Sequence, residues 1–161
     1  MALRSLLAKD WTLEVEDKSK TDTWVPVKGL TKFEESSDDN TEDDGDFDSN
    51  GWGSTVVTQR TWSLECEGKR KRTDDTAFTP DPGQEIIRKA ARVVGFDANI
   101  RVRWYRRDGS PDAYEGTATV SDFTKGGSVT DLEPFSFTLN GQGEPVEITN
   151  PALPGTGGDA A

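Results

Sequence analysis

Residues 34–50 carry nine carboxylates and not one basic side chain. A stretch of seventeen residues without apolar periodicity has no face to bury, and its like charges keep it in solvent. It predicts a long acidic loop within residues 34–53, either plain solvated surface or a segment that orders against a partner. The chain has 161 residues and a net charge of −11, so everything outside this segment sums to only −2. That balance argues against wrapping nucleic acid or docking on anionic lipid.

Side-chain chemistry removes further classes. There is no histidine, which excludes Ser-His-Asp and Cys-His catalysis and any imidazole metal site. The single cysteine, Cys66, excludes an internal disulfide framework and a cysteine zinc cluster. Residues 1–7 are too short an apolar run for a signal peptide or membrane span. Leu, Ile, Val and Phe supply only 31 residues, a fraction bordering on disorder for so charged a chain. The deficit is local, because 29 of those 31 lie outside residues 34–53 and 149–161. One folded domain over residues 1–148 is expected, followed by a flexible Pro/Gly-rich tail over 149–161.

Within the domain the pattern is mainly β. Trp11, Leu13 and Val15 alternate with Thr12, Glu14 and Glu16. Residues 23–28 form a second short strand, with Pro26 suggesting an edge or bulge. Residues 54–67 put Val56, Thr58, Trp62, Leu64 and Cys66 on one side and Gln59, Thr61, Ser63, Glu65 and Glu67 on the other. Residues 99–107 and 113–123 flank an Asp-Gly-Ser-Pro turn and read as a hairpin. A last strand over 129–139 ends before Asn140-Gly141. One helix is expected after Asp81, with Pro82 at its first position, Gln84 completing a capping box and Gly95 as its stop. Its apolar stripe is Ile87, Ala90, Ala91 and Val94. Together these elements predict a two-sheet β-sandwich or partly closed barrel with one flanking α-helix and a long acidic loop between early strands.

Few constellations suggest chemistry. Asp46, Asp48 and Asn50 match the start of a calcium-binding EF-hand loop, but position twelve is Val57 instead of the closing glutamate. They are weak metal candidates, and neither a metal nor another cofactor is expected. No carboxylate pair stands out for glycoside hydrolysis. Gly51 and Gly53 lack the setting of a dinucleotide loop and read as a turn. Two basic elements remain: Lys69, Arg70, Lys71 and Arg72 in a turn, and Arg101, Arg103 and Arg107 on or beside one strand. They fit a single-strand nucleic-acid patch, the acidic loop of a neighbouring copy, or the chain's own loop folded back.

Four longer segments carry a resemblance: Trp-Val-Pro-Val-Lys-Gly-Leu-Thr-Lys-Phe (24–33), Gly-Trp-Gly-Ser-Thr-Val-Val-Thr-Gln-Arg-Thr-Trp (51–62), Gly-Phe-Asp-Ala-Asn-Ile-Arg-Val-Arg-Trp-Tyr (95–105) and Leu-Glu-Pro-Phe-Ser-Phe-Thr-Leu-Asn-Gly-Gln-Gly-Glu-Pro (132–145). With them the chain resembles, from about residue 11 to 151, the major tail tube proteins of long-tailed phages, particularly those of actinobacteria. The resemblance implies a non-enzymatic virion protein, assembled in the host cytoplasm into hexameric rings that stack as a hollow tube. It further implies tape measure, tail terminator and distal tail or baseplate proteins as partners, and genome DNA ejected through the lumen without specific binding. By position, residues 34–50 match a loop that contacts the adjacent ring, which assigns Asp38, Asp39, Glu42, Asp43, Asp44, Asp46 and Asp48 to inter-ring contacts. A wall that releases DNA should present no cations. Gln59, Thr61, Ser63, Glu65, Glu67, Thr117, Thr119 and Ser121 are therefore expected to face the lumen, with Lys69, Arg70, Lys71, Arg72, Arg101, Arg103 and Arg107 at subunit contacts. The alternatives are a calcium-dependent β-sandwich binding or adhesion module and the inner tube of a contractile injection system.

Overall fold

The computed structural model describes residues 2–74 and 76–153. In chain order the elements are β1 (Trp11–Glu16), β2 (Trp24–Pro26), β3 (Leu30–Asp43), β4 (Thr55–Lys69), α1 (Pro82–Ala90), β5 (Asn99–Arg106), β6 (Ala113–Lys125), β7 (Pro134–Gly141) and β8 (Val146–Glu147). Every pairing is antiparallel, in the order β2-β1-β5-β6-β7-β4-β3, with β8 added beside β6. The fold is thus mainly β with one flanking helix. All strands belong to one hydrogen-bonded sheet whose two ends are not joined, an open barrel.

The sheet wraps around its own apolar face. Trp62 on β4 and Trp104 on β5 lie three strands apart, roughly 14 Å in a flat sheet, yet their ring centroids are 4.9 Å apart. Around this pair sit Leu13, Val15, Leu64, Cys66, Ile100, Val102, Phe137 and Leu139, all buried. Room for the Trp62 indole comes from two glycines. A Cβ on Gly141 would lie 2.2 Å from the indole, and one on Gly116 would lie 2.7 Å from it. The indole Nε1 donates to the Gly143 carbonyl at 2.8 Å, so the polar end of the ring is satisfied. Near the free ends of the sheet, Trp11 on β1 meets Phe33 on β3 with centroids 5.4 Å apart.

Helix α1 begins as its signals indicate. Asp81 accepts from the Gln84 backbone N–H at 3.2 Å, and Pro82 takes the first position. The capping box expected of Gln84 does not close, because the Asp81 N–H donates to the Lys71 carbonyl at 3.1 Å and the Gln84 side chain is buried in other bonds. Its amide donates to the carbonyls of Lys28 and Lys69 and accepts from the Lys71 N–H, tying β2, β4 and the basic turn to the helix. The expected stripe runs too far. The helix ends at Ala90, with Ala91 as its C-cap, and Val94 lies exposed before a 3-10 turn that opens on Gly95 at φ +83°.

The acidic segment needs the largest correction. Residues 34–43 are strand: β3 runs through them, matched to β4 by thirteen cross-strand pairs between Leu30–Gly68 and Asp43–Thr55. Alternation sends successive carboxylates to opposite faces, and the Thr- and Val-rich partner supplies the β preference that aspartates lack. Two other boundaries shift. The last major strand starts at Pro134, leaving Val129 and Leu132 exposed in a loop, and it runs through Asn140-Gly141. The tail expected from residue 149 is anchored at Asn150, which is 1% exposed and donates at 2.7 Å to the carbonyls of both Arg106 and Ser110. Residues 154–161 lie outside the described residues.

Two outcomes follow for stability. Gly141→Ala should cost about 1–3 kcal/mol in urea unfolding by pushing on the Trp62 ring. Gly53→Ala, with open space around its Cβ, should stay within about 0.5 kcal/mol of wild type. Burial pushes the Cys66 thiol up to about 12, whereas its ordinary value is 9.0. The folded chain therefore holds that proton longer than the unfolded one, so its stabilising effect is complete below pH 9 and is lost as pH rises towards 12. Thiol labelling at pH 8 should accordingly be slow for the folded chain and rapid in denaturant.

Candidate functional site

Two surfaces stand out, an arm and a polar face. The arm is the distal part of the β3–β4 hairpin. β7 pairs with β4 only from Ser63 to Lys69, so residues 55–62 of β4 have β3 as their single partner. Asp38, Asp39, Glu42, Asp43 and the facing residues of β4 up to Thr61 are accordingly exposed on both faces. Cross-strand bonds hold the arm: Asn40 donates to the Thr58 hydroxyl at 2.7 Å, and the Thr61 hydroxyl donates to the Asp38 carbonyl at 2.7 Å. Arg60 lies 3.5 Å from Asp39.

At the tip the chain makes a 3-10 turn, Phe47–Ser49, with a reciprocal cap. Asp46 accepts from the Asp48 N–H at 2.9 Å, and the Ser49 hydroxyl accepts from the Asp46 N–H at 3.0 Å. Asn50 follows in the left-handed region at φ 53°. The carboxylate of Asp46 is thus engaged with its own loop. Among the described residues no group of three or more potential metal-ligating Cys, Asp or Glu side chains comes together, Asp46 and Asp48 included.

Register fixes the polar face. Ser63, Glu65 and Glu67 on β4 stand opposite Asn140, Thr138 and Ser136 on β7, and Thr138 stands opposite Ser121 on β6. On the other side of β4, Glu65 and Glu67 stand opposite Glu34 and Lys32. Lys32 lies 3.7 Å from both Glu34 and Glu65, and Glu65 foremost keeps its ammonium charged above the ordinary lysine range. This region is hydroxyl and carboxylate with its one cation answered. Gln59 and Thr61 extend the same side of β4 into the arm.

Thr117 and Thr119 link that face to the β5 arginines. Thr119 stands between Asn140 on β7 and Asn99 on β5, and Thr117 pairs directly with Arg101. The expectation that these threonines and the β5 arginines occupy separate surfaces is corrected: directly opposed residues of an antiparallel pair project to the same side. Period-two alternation orders one strand's faces but does not say which face meets which on the next. The arginines and Glu65 and Glu67 thus lie on one outer side of the sheet, three strands apart and separated by its curvature around Trp62 and Trp104.

Those arginines are neutralised within the chain. Arg101 bonds Glu115 across β6, Glu16 across β1 at 2.5 Å and Asp22 at 3.3 Å. Arg103 bonds Glu14 at 2.5 Å, and Glu14 also accepts from the Tyr105 hydroxyl at 2.7 Å. The Glu115 hydrogen bond, then its charge, the Asp22 hydrogen bond and the Glu16 charge, hold the Arg101 guanidinium protonated beyond its usual range against the opposing effect of burial. Burial, reinforced by Glu14, pushes the Tyr105 phenol up to about 12. Both guanidinium groups also lie over the Trp24 ring, at 5.3 and 4.7 Å.

The basic turn is divided. Arg70 pairs with Glu85 at 3.6 Å and Glu133 at 3.4 Å, and Arg72 lies over the Phe78 ring at 4.6 Å, while Lys69 and Lys71 are exposed. Arg107 donates to the carbonyls of Lys9 and Trp11. Sequence reasoning gave Gln84 only a capping role, missing its bridging one, and missed the tip aromatics Phe47 and Trp52. The only sign of the first is a lone amide in a helical first turn, and of the second, two aromatics inside a strongly polar stretch.

The profile of the family described as "Phage tail tube protein" matches residues 7–147. The chain belongs to this family. This tail tube protein is accordingly a structural, tube-forming component of a virion tail. No curated protein matches it significantly. Solved structures share its fold. The tail of an empty gene transfer agent (GTA) particle, with C6 symmetry, aligns with a TM-score of 0.64 at 17% identity, covering 89% of this chain and 99% of that one. The virion of a native GTA particle gives 0.61 at 18%, covering 88% and 97%. The SPP1 tail tube, from solid-state NMR and cryo-EM, gives 0.67 at 16%, covering 94% and 84%.

For the tail tube protein, the double substitution Glu16→Gln, Glu115→Gln should uncover Arg101. Heparin retention should rise, and binding to duplex DNA should gain a salt slope of about −0.9 for the one phosphate contact opened. Unchanged retention would mean that Asp22 alone masks the guanidinium.

Proposed function

We propose that this chain assembles as hexameric rings that stack into the phage tail tube, the conduit through which genome DNA leaves the virion. What carries the reading is the β3–β4 arm: a two-stranded projection exposed on both faces cannot be stable on its own merits in water and calls for a partner. The C6 symmetry of the GTA tail supports six copies per ring.

In this reading the arm, through Asp38, Asp39, Glu42, Asp43, Asp44, Asp46 and Asp48, bridges to cations of an adjacent ring. The lumen wall is the outer side of β4 and β7 with the adjoining part of β6, including Ser63, Glu65, Glu67 and Ser121. Hydroxyls and carboxylates there offer DNA phosphates nothing to exchange counterions with, so the genome slides without being held. Arg101 and Arg103 stand three strands from β4 around the curved sheet, where neutral ion-pair clusters, together with Lys69, Lys71 and Arg107, meet neighbouring subunits. Closing the sheet between subunits also covers the free edge of β3. The tube has no catalytic role, is built in the host cytoplasm around a tape measure protein, and ends on terminator and distal tail proteins.

Purified protein should form hollow tubes on concentration, seen by negative-stain electron microscopy; a chain that stays monomeric at every concentration and ionic strength would end this reading. Asp43→Asn, Asp44→Asn, Asp46→Asn, Asp48→Asn should raise the concentration needed for assembly several-fold at low salt. The gap from wild type should narrow as salt screens the contact.

A further inference from the structure

The tip of the arm carries two aromatics held out in solvent: Phe47 is 106% exposed and Trp52 is 81% exposed. They are not on a floppy loop. The Asp46–Ser49 cap, the left-handed Asn50 and a Trp52 N–H to Ser49 carbonyl bond at 3.0 Å fix the turn that presents them. Rigid presentation of exposed aromatics is the mark of an interface anchor, because little conformational freedom remains to be lost on docking.

At the other end of the same strand lies a groove. Where the wrapped sheet fails to close, β1 and the start of β3 face each other across an open seam of about 910 Å³, lined by Trp11, Pro26, Lys28, Phe33, Tyr105 and Arg107 among others. Its size lies within the roughly 300–1,000 Å³ range of sites that enclose sizeable organic groups. Its walls combine aromatic rings with cations. Lys9, Lys28 and Arg107 have no carboxylate within salt-bridge distance among the described residues. The tip aromatics are flanked by Asp44, Asp46 and Asp48, none of which has a cation within salt-bridge distance among the described residues.

We propose that the aromatic tip of one copy, Phe47 and Trp52 with their flanking aspartates, seats in the seam groove of the next copy. Charge and shape both select this pairing: rings meet rings, and unanswered anions meet unanswered cations. The two ends cannot meet within one chain. β3 spans fourteen residues between groove and tip, roughly 40 Å of strand. The contact is heterologous, which by repetition builds rings or stacks, and in the stacked-tube reading it joins copies of successive rings. The inference rests on the stacking-tube reading and names the acceptor surface for its arm. That acceptor is the seam, not the 69–72 turn.

The test places the photo-crosslinker benzoylphenylalanine at position 52 and irradiates tubes assembled from mixed isotope-labelled copies. Intermolecular adducts on residues 8–14 or 26–33 are expected; adducts confined to residues 69–72 or to any other surface overturn the proposal. Independently, Trp52→Ala and the pair Lys28→Glu, Arg107→Glu should each raise the critical assembly concentration by about 30-fold, as loss of an interface hot spot does. Asp44→Lys, Asp48→Lys should restore assembly to the groove variant. All these positions are exposed, so the monomer's circular dichroism should not move, and its unfolding midpoint should shift only in the groove variant, by the loss of the two long Arg107 bonds to backbone. Wild-type assembly by either variant overturns the anchor but leaves the tube standing. Absence of tubes from wild type itself removes the tube reading and the anchor with it.

Discussion

The stacking of Trp62 against Trp104 is the contact on which the molecule's shape depends. These two indoles fill the space that a wrapped sheet must enclose, and they define where the sheet bends. Gly116 and Gly141 exist in this arrangement as absences of side chain, a slot in which one ring lies flat against backbone. Everything functional is then placed by curvature. The hydroxyl and carboxylate residues of β4 and β7 and the paired arginines of β5 are set three strands apart around the curved sheet.

Charge is managed in two opposite styles on this framework. On β5 and its neighbours, guanidinium groups are surrounded by carboxylates from β1 and β6, giving a surface rich in ions but poor in net field. Arg106, only 3% exposed, follows the same logic with Asp108 at 2.8 Å and Asp10 at 3.7 Å. On the arm the acids are left almost unanswered, with Arg60 the one cation near Asp39. A chain that neutralises arginines so thoroughly in one place and concentrates anions in another keeps two surfaces of different electrostatic character apart.

Much of this was legible in the sequence, and what was not has identifiable causes. The strands around Trp11, Trp62, Trp104 and Phe137 were readable because alternation places large apolar residues against a core. The helix start was readable because Asp81 and Pro82 act locally. β3 was not, since six carboxylates in fourteen residues oppose every local preference for a strand, and only the partner β4 overrides them. The masking of Arg101 and Arg103 was equally hidden, because it depends on register across three strands and not on any one segment. Asn150 illustrates the same limit: a polar residue in a Pro/Gly-rich end gives no hint that its amide closes a buried turn.

The free border of β3 imposes a direction on whatever it builds. Two such borders laid against each other would set six carboxylates beside six more with a single lysine, Lys32, on each border, so a symmetric pair is repelled. Only an unlike surface can approach. A polymer grown under that rule has distinguishable front and rear faces, and one of them can be recognised as the place to start and the other as the place to stop.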